Sequence, residues 1–330
     1  MKFSVIIPVY NSEKTIKRAL HSVQNQNYKN FEVLIIDDGS SDNTANICKE
    51  FVACDTRFKY HFQTNKGVSV ARNNGIANAS GEFIVFLDSD DAYSSHFLSA
   101  LDEATSLHGD CNNFWCDYAI VEDNSKAVDN GDIIMSTLNF GKLNRNDANI
   151  LPALWNKAFR RSIIEKINLQ MPEDMSLGED FIFNYKYLDA SGEKIIYISE
   201  KLYLYTKATS TSLDGKYRSD LINIFEKLEN EMFAHYKKWN LREAEFSKYY
   251  SYVFNNRIKI LYETYRTECP LSKTEKRKHN KAILKCPKFR EALNNATWHI
   301  HPLYKLAYRL ASWRLIQLLD KLVNLKGKMR

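Results

Sequence analysis

Phe83-Ile84-Val85-Phe86-Leu87-Asp88-Ser89-Asp90-Asp91 runs an apolar stretch straight into three carboxylates within four residues. Carboxylates this close raise one another's pKa unless something positive neutralises them. A hard divalent cation is the usual neutraliser, and Mg2+ or Mn2+ prefers carboxylate oxygen and bridges to substrate phosphates. A strand that delivers Asp-x-Asp to its carboxyl end therefore suits a metal-assisted site for a phosphorylated ligand. A solvated acidic turn would use the same residue types, so the surrounding elements must decide between them.

Those elements alternate. Phe3–Val9 reads as a strand, and Asn11 or Ser12 is placed to cap a helix whose apolar positions are Ile16, Ala19, Leu20 and Val23. Phe31–Ile36 is a second strand ending in Asp37-Asp38-Gly39-Ser40, followed by a helix over Thr44–Ala53 and a strand over Lys59–Gln63. A loop containing Gly67 leads to a helix over Val70–Asn78, and Gly81–Leu87 is the strand that ends in the acidic cluster. Strands alternating with helices predict a doubly wound sheet, and ligands of such sheets sit beyond the strand carboxyl ends. Asp37, Asp38, Asp88 and Asp90 all fall there, which favours a site over a turn.

Farther along, Tyr118–Val121, Lys194–Ile198 and Leu202–Tyr205 read as strands, and Asn124–Asp147 as a polar loop or short hairpin. Pro172 to Gly178 forms a turn feeding a helix that starts near Glu179. Beyond Asp214 the pattern is almost wholly helical. The expected division is residues 1–215, with halves of about 1–110 and 111–215, and a helical region over 216–330.

Composition sets bounds. With 44% hydrophobic and 26% charged residues over 330 positions, the chain is an ordinary globular one of one large or two smaller domains. The six cysteines form no Cys-x-x-Cys pair and no zinc pattern, so reduced thiols are expected. Phe3–Pro8 is too short for the apolar core of a signal peptide, and no stretch approaches the roughly 18 apolar residues of a membrane span. Charge is uneven: residues 270–330 hold fifteen Lys and Arg against three Asp and Glu, so their +12 leaves −6 for the rest of a +6 chain.

Four segments are weighed together: Pro8-Val9-Tyr10-Asn11, Asp37-Asp38-Gly39-Ser40, Asp88-Ser89-Asp90-Asp91 and Leu177-Gly178-Glu179-Asp180-Phe181. With Leu154-Trp155-Asn156-Lys157-Ala158-Phe159 between the last two, the chain resembles the inverting family 2 glycosyltransferases of bacterial surface-polysaccharide type, over roughly residues 1–215. The resemblance implies an α/β GT-A fold, that of nucleotide-diphospho-sugar transferases: a doubly wound mixed sheet flanked by helices, here followed by a mostly helical C-terminal region. It also implies a UDP-sugar donor and a divalent metal, Mn2+ or Mg2+.

By the same resemblance, Pro8, Val9 and Tyr10 line the base pocket, and Asp38 accepts a hydrogen bond from the uracil N3–H. Asp88, with Ser89 beside it, faces the ribose hydroxyls or a metal-bound water, and Asp90 ligates the metal. Asp91 is a helix cap or a supporting partner. Lys66 and Arg72 flank the loop and helix where relatives place a basic contact to base or phosphates. On the residues alone Glu179-Asp180 reads first as helix capping, because acids favour a helix N-terminus. The resemblance makes Asp180 the general base that takes the acceptor hydroxyl's proton, with Glu179 in support. Trp155 either stacks on an acceptor sugar or belongs to the core. Lys207 stands where relatives often carry His or Arg, and would offer a point charge to the diphosphate from a loop over Tyr205–Leu213 that orders on donor binding.

Leu303, Leu306, Leu310, Trp313, Ile316, Leu319 and Val323 recur at helical spacing among Lys305, Arg309, Arg314 and Lys321. Basic amphipathic helices suit an anionic membrane surface, although a helix packed on its own domain would show the same stripe. The expectation is a cytoplasmic enzyme peripheral to the inner membrane face, extending a lipid-linked glycan, with no nucleic-acid partner because no recognised motif accompanies the charge. His299 and His301 have no third ligand at sensible spacing. A sugar nucleotidyltransferase is disfavoured, since Tyr10-Asn11-Ser12-Glu13 stands where a Gly-rich, basic triphosphate loop would be. A non-catalytic glycan- or nucleotide-binding subunit is the other alternative, which intact Asp88, Asp90 and Asp180 argue against.

Overall fold

A computed structural model describes residues 1–121, 135–139, 153–206, 217–239, 243–266 and 268–295. The chain divides into two compact units, Met1–Ser210 and Thr211–Arg330.

The first unit is built on one mixed sheet. Strands β1 (Phe3–Val9), β2 (Phe31–Asp37), β3 (Phe58–Phe62) and β4 (Phe83–Phe86) are parallel and lie side by side in the order β3-β2-β1-β4. Every residue of β1 and β2 is buried, as expected of parallel strands covered on both faces. The side-chain alternation splits them between two cores. Phe3, Val5, Ile7 and Val9 join one that includes Ala19 and Leu20 of α1 (Ile16–Gln24), Cys48 of α2 (Thr44–Cys54), and Phe97 and Leu101 of α4 (Phe97–Leu107). Ile6, Leu34, Ile36 and Phe86 join the other, with Ala71 of α3 (Val68–Asn78), Ile164 of α5 (Arg161–Lys166) and Phe183 of α6 (Glu179–Ser191). Helix α3 sits close on β1 at Gly75: a Cβ there would lie 2.4 Å from Ile6 Cγ2. That contact fixes the height of Arg72, one turn earlier, over the strand ends.

Beyond β4 the sheet continues through β8 (Lys157–Arg160), β6 (Asn113–Val121), β9 (Lys194–Thr206) and the short β5 (Ala92–Tyr93), while β7 (Met135–Asn139) pairs with β9. Strand β8 is antiparallel to both β4 and β6, whereas β6 and β9 run parallel. The two strands expected over Lys194–Ile198 and Leu202–Tyr205 are one, because register shifts at Cys116 and Asp117 absorb the irregular middle as a bulge. Strand β6 likewise begins at Asn113 rather than Tyr118, and β8 falls in the Asn156-Lys157 segment that had no predicted strand.

Helix α1 starts at Ile16 with Thr15 as an uncapped N-cap, not at Asn11 or Ser12. Those residues serve the loops instead. Asn11 sits at φ 46, and its backbone N–H donates to Ser40 Oγ at 3.0 Å. Its side-chain oxygen accepts from Ser41 N at 2.8 Å.

The second unit is helical: α7 (Leu221–Lys238), α8 (Glu243–Glu263), α9 (Lys273–Lys285) and α10 (Pro287–Asn295). Ser272 and Glu275 form a reciprocal capping box at the start of α9. Phe254 stacks on Phe289 with centroids 5.4 Å apart, and the buried Glu229 pairs with Arg257 at 2.8 Å. Among the described residues no helix is long and apolar enough to cross a membrane, and all six cysteines are free. The apolar stripe over 303–323 lies outside the described residues.

Candidate active site

Three neighbouring strand ends assemble the first half of the site. Val9 pairs with Asp37, Asp38 N donates to Val9 O at 2.9 Å, and Leu87 N donates to Ile6 O at 3.0 Å. Pro8–Tyr10, Asp38 and Asp88 therefore emerge side by side at one sheet edge, as β-ends in such sheets must. Tyr10 is 53% exposed there, and Phe62 at the end of β3 is 62% exposed. The Ser12 and Ser89 hydroxyls meet at 2.9 Å and tie the loop after β1 to the acidic one.

Asp37 and Asp38 take different tasks. Asp37 is structural: its oxygens accept from Ser40 N at 2.8 Å and from Tyr60 Oη at 2.6 Å. Asp38 is buried, and accepts from Gln63 Nε2, Lys66 N and Gly67 N, each at 2.8 Å. An ionised carboxylate offers about four lone-pair sites, so about one is left for a further donor. Lys66 thus reaches Asp38 through its backbone, while the residue itself is exposed. Gln63 and Asn74, which donates to Gln63 Oε1 at 3.0 Å, were not singled out from sequence. Nothing in their types distinguishes them from surface amides until β3 and α3 bring them together.

The acidic cluster divides in the same way. Asp88 is half-buried, and its Oδ1 accepts from Arg72 Nη2 at 2.9 Å. Asp91 is buried and caps no helix. Its two oxygens accept from Tyr203 Oη at 2.6 Å and Thr206 N at 2.7 Å, which fastens the end of β9. Burial and the Asp88 charge push its carboxyl up to about 8. The Asp90 residue reaches solvent, while partial enclosure of its carboxyl and the Asp88 charge raise its pKa. The Asp90 carbonyl accepts from Arg18, whose Nη2 also donates to Thr206 Oγ1 at 2.9 Å.

Asp180 stands at the first turn of α6, entered through Gly178 at φ 82, a left-handed turn that glycine allows without a Cβ penalty. Its Oδ1 accepts from Phe181 N at 2.7 Å. Burial and then the adjacent Glu179 raise its carboxyl to about 6, against the opposing charge of Arg72. Arg72, expected at the base or phosphates, is buried between two acids: Nη2 on Asp88, and Nη1 on Glu179 Oε1 at 3.0 Å. One guanidinium thus brings Asp88 and the Glu179-Asp180 turn together, the second contact reaching 107 residues along the sequence from Arg72.

Trp155 is half-buried and packs against the core. It stacks on Tyr203 with centroids 4.3 Å apart, meets Tyr118 edge-on at 5.1 Å, and lies 6.0 Å from Tyr205, which is 40% exposed. Beside it, Lys157 is buried over the Trp115 ring at 4.6 Å and donates to Asn156 Oδ1 at 2.9 Å and to the Ala153 carbonyl. Burial pulls its pKa down to about 7, with Cys116 and Asp180 pushing the other way. In the sequence Lys157 belongs to the Leu154–Phe159 motif, and its residue type alone carries no signal of this burial. Lys207 lies outside the described residues.

Among the described residues no three His, Cys, Asp or Glu side chains gather as a metal cage. Asp90 beside Asp88 nevertheless fits a metal such as Mg2+ or Mn2+ that takes one or two carboxylates and completes its shell with water and substrate phosphate.

Comparison with known proteins agrees with this architecture. Residues 4–167 match the family model "Glycosyl transferase family 2". The chain is 33% identical over 219 residues to the Streptococcus pneumoniae glycosyltransferase GlyA, covering 62% of this chain and 30% of GlyA. It is 41% identical over 102 residues to a Campylobacter jejuni GalNAc(5)-diNAcBac-PP-undecaprenol beta-1,3-glucosyltransferase, covering 30% of this chain and 33% of that protein. The chain thus spans about a third of the length of each of these curated relatives. The fold is similar to that of residues 1–349 of S. aureus TarS, solved in complex with UDP-GlcNAc, at TM-score 0.72 and 22% identity over 97% of this chain and 92% of that one.

Proposed function

Because residues 4–167 of this chain belong to glycosyl transferase family 2, we propose that the protein is an inverting glycosyltransferase that moves a hexose or N-acetylhexosamine from a UDP-sugar to a glycan hydroxyl in surface-polysaccharide synthesis. The observation that carries this reading is the joining of Asp88 and the Glu179-Asp180 turn by Arg72, beside the strand-end pocket of Asp38. A donor-side acid pair and a separately held carboxylate are what displacement at a sugar C1 requires.

Pro8, Val9 and Tyr10 form the wall of the base pocket, and the remaining acceptor site on Asp38 suits a uracil N3–H. Asp88 and Ser89 face the ribose side. Asp90 would hold the divalent metal, which when bound supplies positive charge to the departing diphosphate. Lys66 and Lys207 are candidates for further phosphate contact. Asp180, ionised, accepts the proton of the acceptor hydroxyl as that oxygen forms its bond to C1 and the bond from C1 to the UDP oxygen breaks. A carboxyl whose pKa is raised to about 6 is mostly ionised at neutral pH yet still basic enough for that transfer. Glu179 supports it, and the exposed ring of Tyr205 next to Trp155 offers a surface on the acceptor side.

The acceptor is placed on a lipid at the cytoplasmic face of the membrane. Two things support this: the undecaprenol acceptor in the name of the Campylobacter jejuni relative, and exposed Lys273, Arg277, Lys278 and Lys285 on α9. Residues 1–215 form the catalytic portion in this reading, and 216–330 the basic, membrane-facing one.

A panel of UDP-sugars with Mn2+, scored for thermal stabilisation and donor hydrolysis, identifies the donor. Asp180→Asn is expected to keep UDP binding and to abolish transfer. Substantial transfer by this variant would remove Asp180 as the base.

A further inference from the structure

Arg72 holds an unusual position for a cation near a nucleotide site. It is only 9% exposed, comes from the middle of α3, and spans two carboxylates from distant parts of the chain. The bonds are short and separate: Nη2 to Asp88 at 2.9 Å and Nη1 to Glu179 at 3.0 Å. Its Nε is buried with no partner among the described residues. A guanidinium placed to bind phosphate would open its fork to solvent. This one is turned inward onto acids.

We propose that Arg72 is the positioning residue of the reaction: its two-pronged contact fixes Asp180 relative to the acidic strand end and keeps Asp180 ionised. The inference rests on the reading of Asp180 as the base. Four titratable groups act electrostatically on the Asp180 carboxyl or are acted on by it. Glu179 precedes it on α6, Arg72 comes from α3, Asp88 follows β4, and Lys157 lies on β8. The two acids favour its protonated form and Arg72 favours the carboxylate, whereas Lys157, its pKa pulled down to about 7 by burial, carries only part of a charge at neutral pH. Arg72 is the cation bonded to both acids, so it holds them in place and offsets their repulsion at once. Lysine would keep the charge but not the fork, because an ammonium is a point donor on a flexible stem.

The test compares Arg72→Lys, Arg72→Gln, the double variant Arg72→Gln/Glu179→Gln, and Asp180→Asn, each in the full chain with saturating UDP-sugar. Arg72→Lys is expected to lower kcat by about 10²-fold, the scale of a misplaced reacting group, with KM for the donor nearly unchanged. Arg72→Gln is expected to move the acid limb of the kcat–pH profile upward by about one unit or more, as loss of a nearby opposite charge does. The double variant relieves the unpaired acid and returns the limb towards that of the native protein. It also keeps the test usable where Arg72→Gln alone does not fold.

An acid limb that stays in place in both neutral variants, with kcat scaling only with the folded fraction, overturns the proposal. So does a fall confined to KM, which would make Arg72 a donor contact. Transfer retained by Asp180→Asn overturns the base assignment and this inference together. An inactive Asp180→Asn alongside an unmoved limb removes Arg72 alone.

Discussion

The hydroxyl of Tyr203 donates to the carboxylate of Asp91 at 2.6 Å, joining the end of the acidic segment to the strand that closes the other side of the site. Both groups are buried, and the second Asp91 oxygen takes Thr206 N. Tyr203 also lies under Trp155, so one ring supports the acidic turn and the aromatic patch together. Tyr203→Phe should keep the ring stacking and leave one Asp91 oxygen unpaired. A buried acceptor stripped of its partner costs about 1–3 kcal/mol. Denaturant unfolding should show that loss with an unchanged slope. A midpoint equal to that of the native chain would mean water replaces the hydroxyl without cost.

The contact between α3 and β1 makes a second prediction. Gly75→Ala puts a Cβ 2.4 Å from Ile6 Cγ2, inside a packed core. Overpacking of this kind costs about 1–3 kcal/mol. Because the obstruction is one side chain, Ile6→Ala should relieve it. The double variant is then expected to be more stable than the two single losses added together, a coupling read from a double-mutant cycle. Strict additivity would show that α3 moves away as a unit, and activity should then fall through displacement of Arg72.

Glu32 supplies a pH prediction away from the site. Burial alone would raise its carboxyl, but hydrogen bonds from Lys59, Ser80 and Ser4 outweigh that and hold it at about 2. Its folded pKa lies below the ordinary value, so the stability it contributes is complete above about 4.5 and is lost as pH falls towards 2. Glu32→Gln should flatten the acid side of the stability–pH curve in that window. An equally steep acid loss in the variant would place the responsible carboxylates elsewhere.

The strand ends were legible because their residue types are extreme. A β1 that is apolar but for Ser4 and an apolar β4 running into Asp88, Asp90 and Asp91 specify buried parallel strands and a charged edge by pattern alone. Even the start of α6 could be read, since Gly178 followed by two acids satisfies both a left-handed turn and a helix N-terminus. The pairings across the edge could not. Nothing local in Arg72 says that its fork turns inward, because Glu179 is 107 residues away and only the sheet order brings it near. Asp91 has the same composition cue as Asp90, yet one faces Tyr203 and the other faces solvent. Strand β8 escaped because four residues beside a Trp and a buried Lys carry no period long enough to read.

Nucleotide choice gives the last prediction, and it tests the Asp38 pocket directly. Three of the acceptor sites on Asp38 are filled by Gln63, Lys66 and Gly67, so the carboxylate is held as an acceptor with its remaining site at the strand edge. Uracil presents an N3–H to such a group, whereas cytosine presents a lone pair and would set acceptor against acceptor. UDP should therefore bind more tightly than CDP by about 10²-fold or more, the penalty for leaving a buried polar group unpaired. Gln63→Ala frees one side of the carboxylate without removing it. That variant should lose part of the discrimination while its melting temperature stays close to the native value. Titration calorimetry with both nucleotides measures this, and equal affinities for UDP and CDP in the native protein would show that Asp38 only holds the Gln63–Gly67 loop.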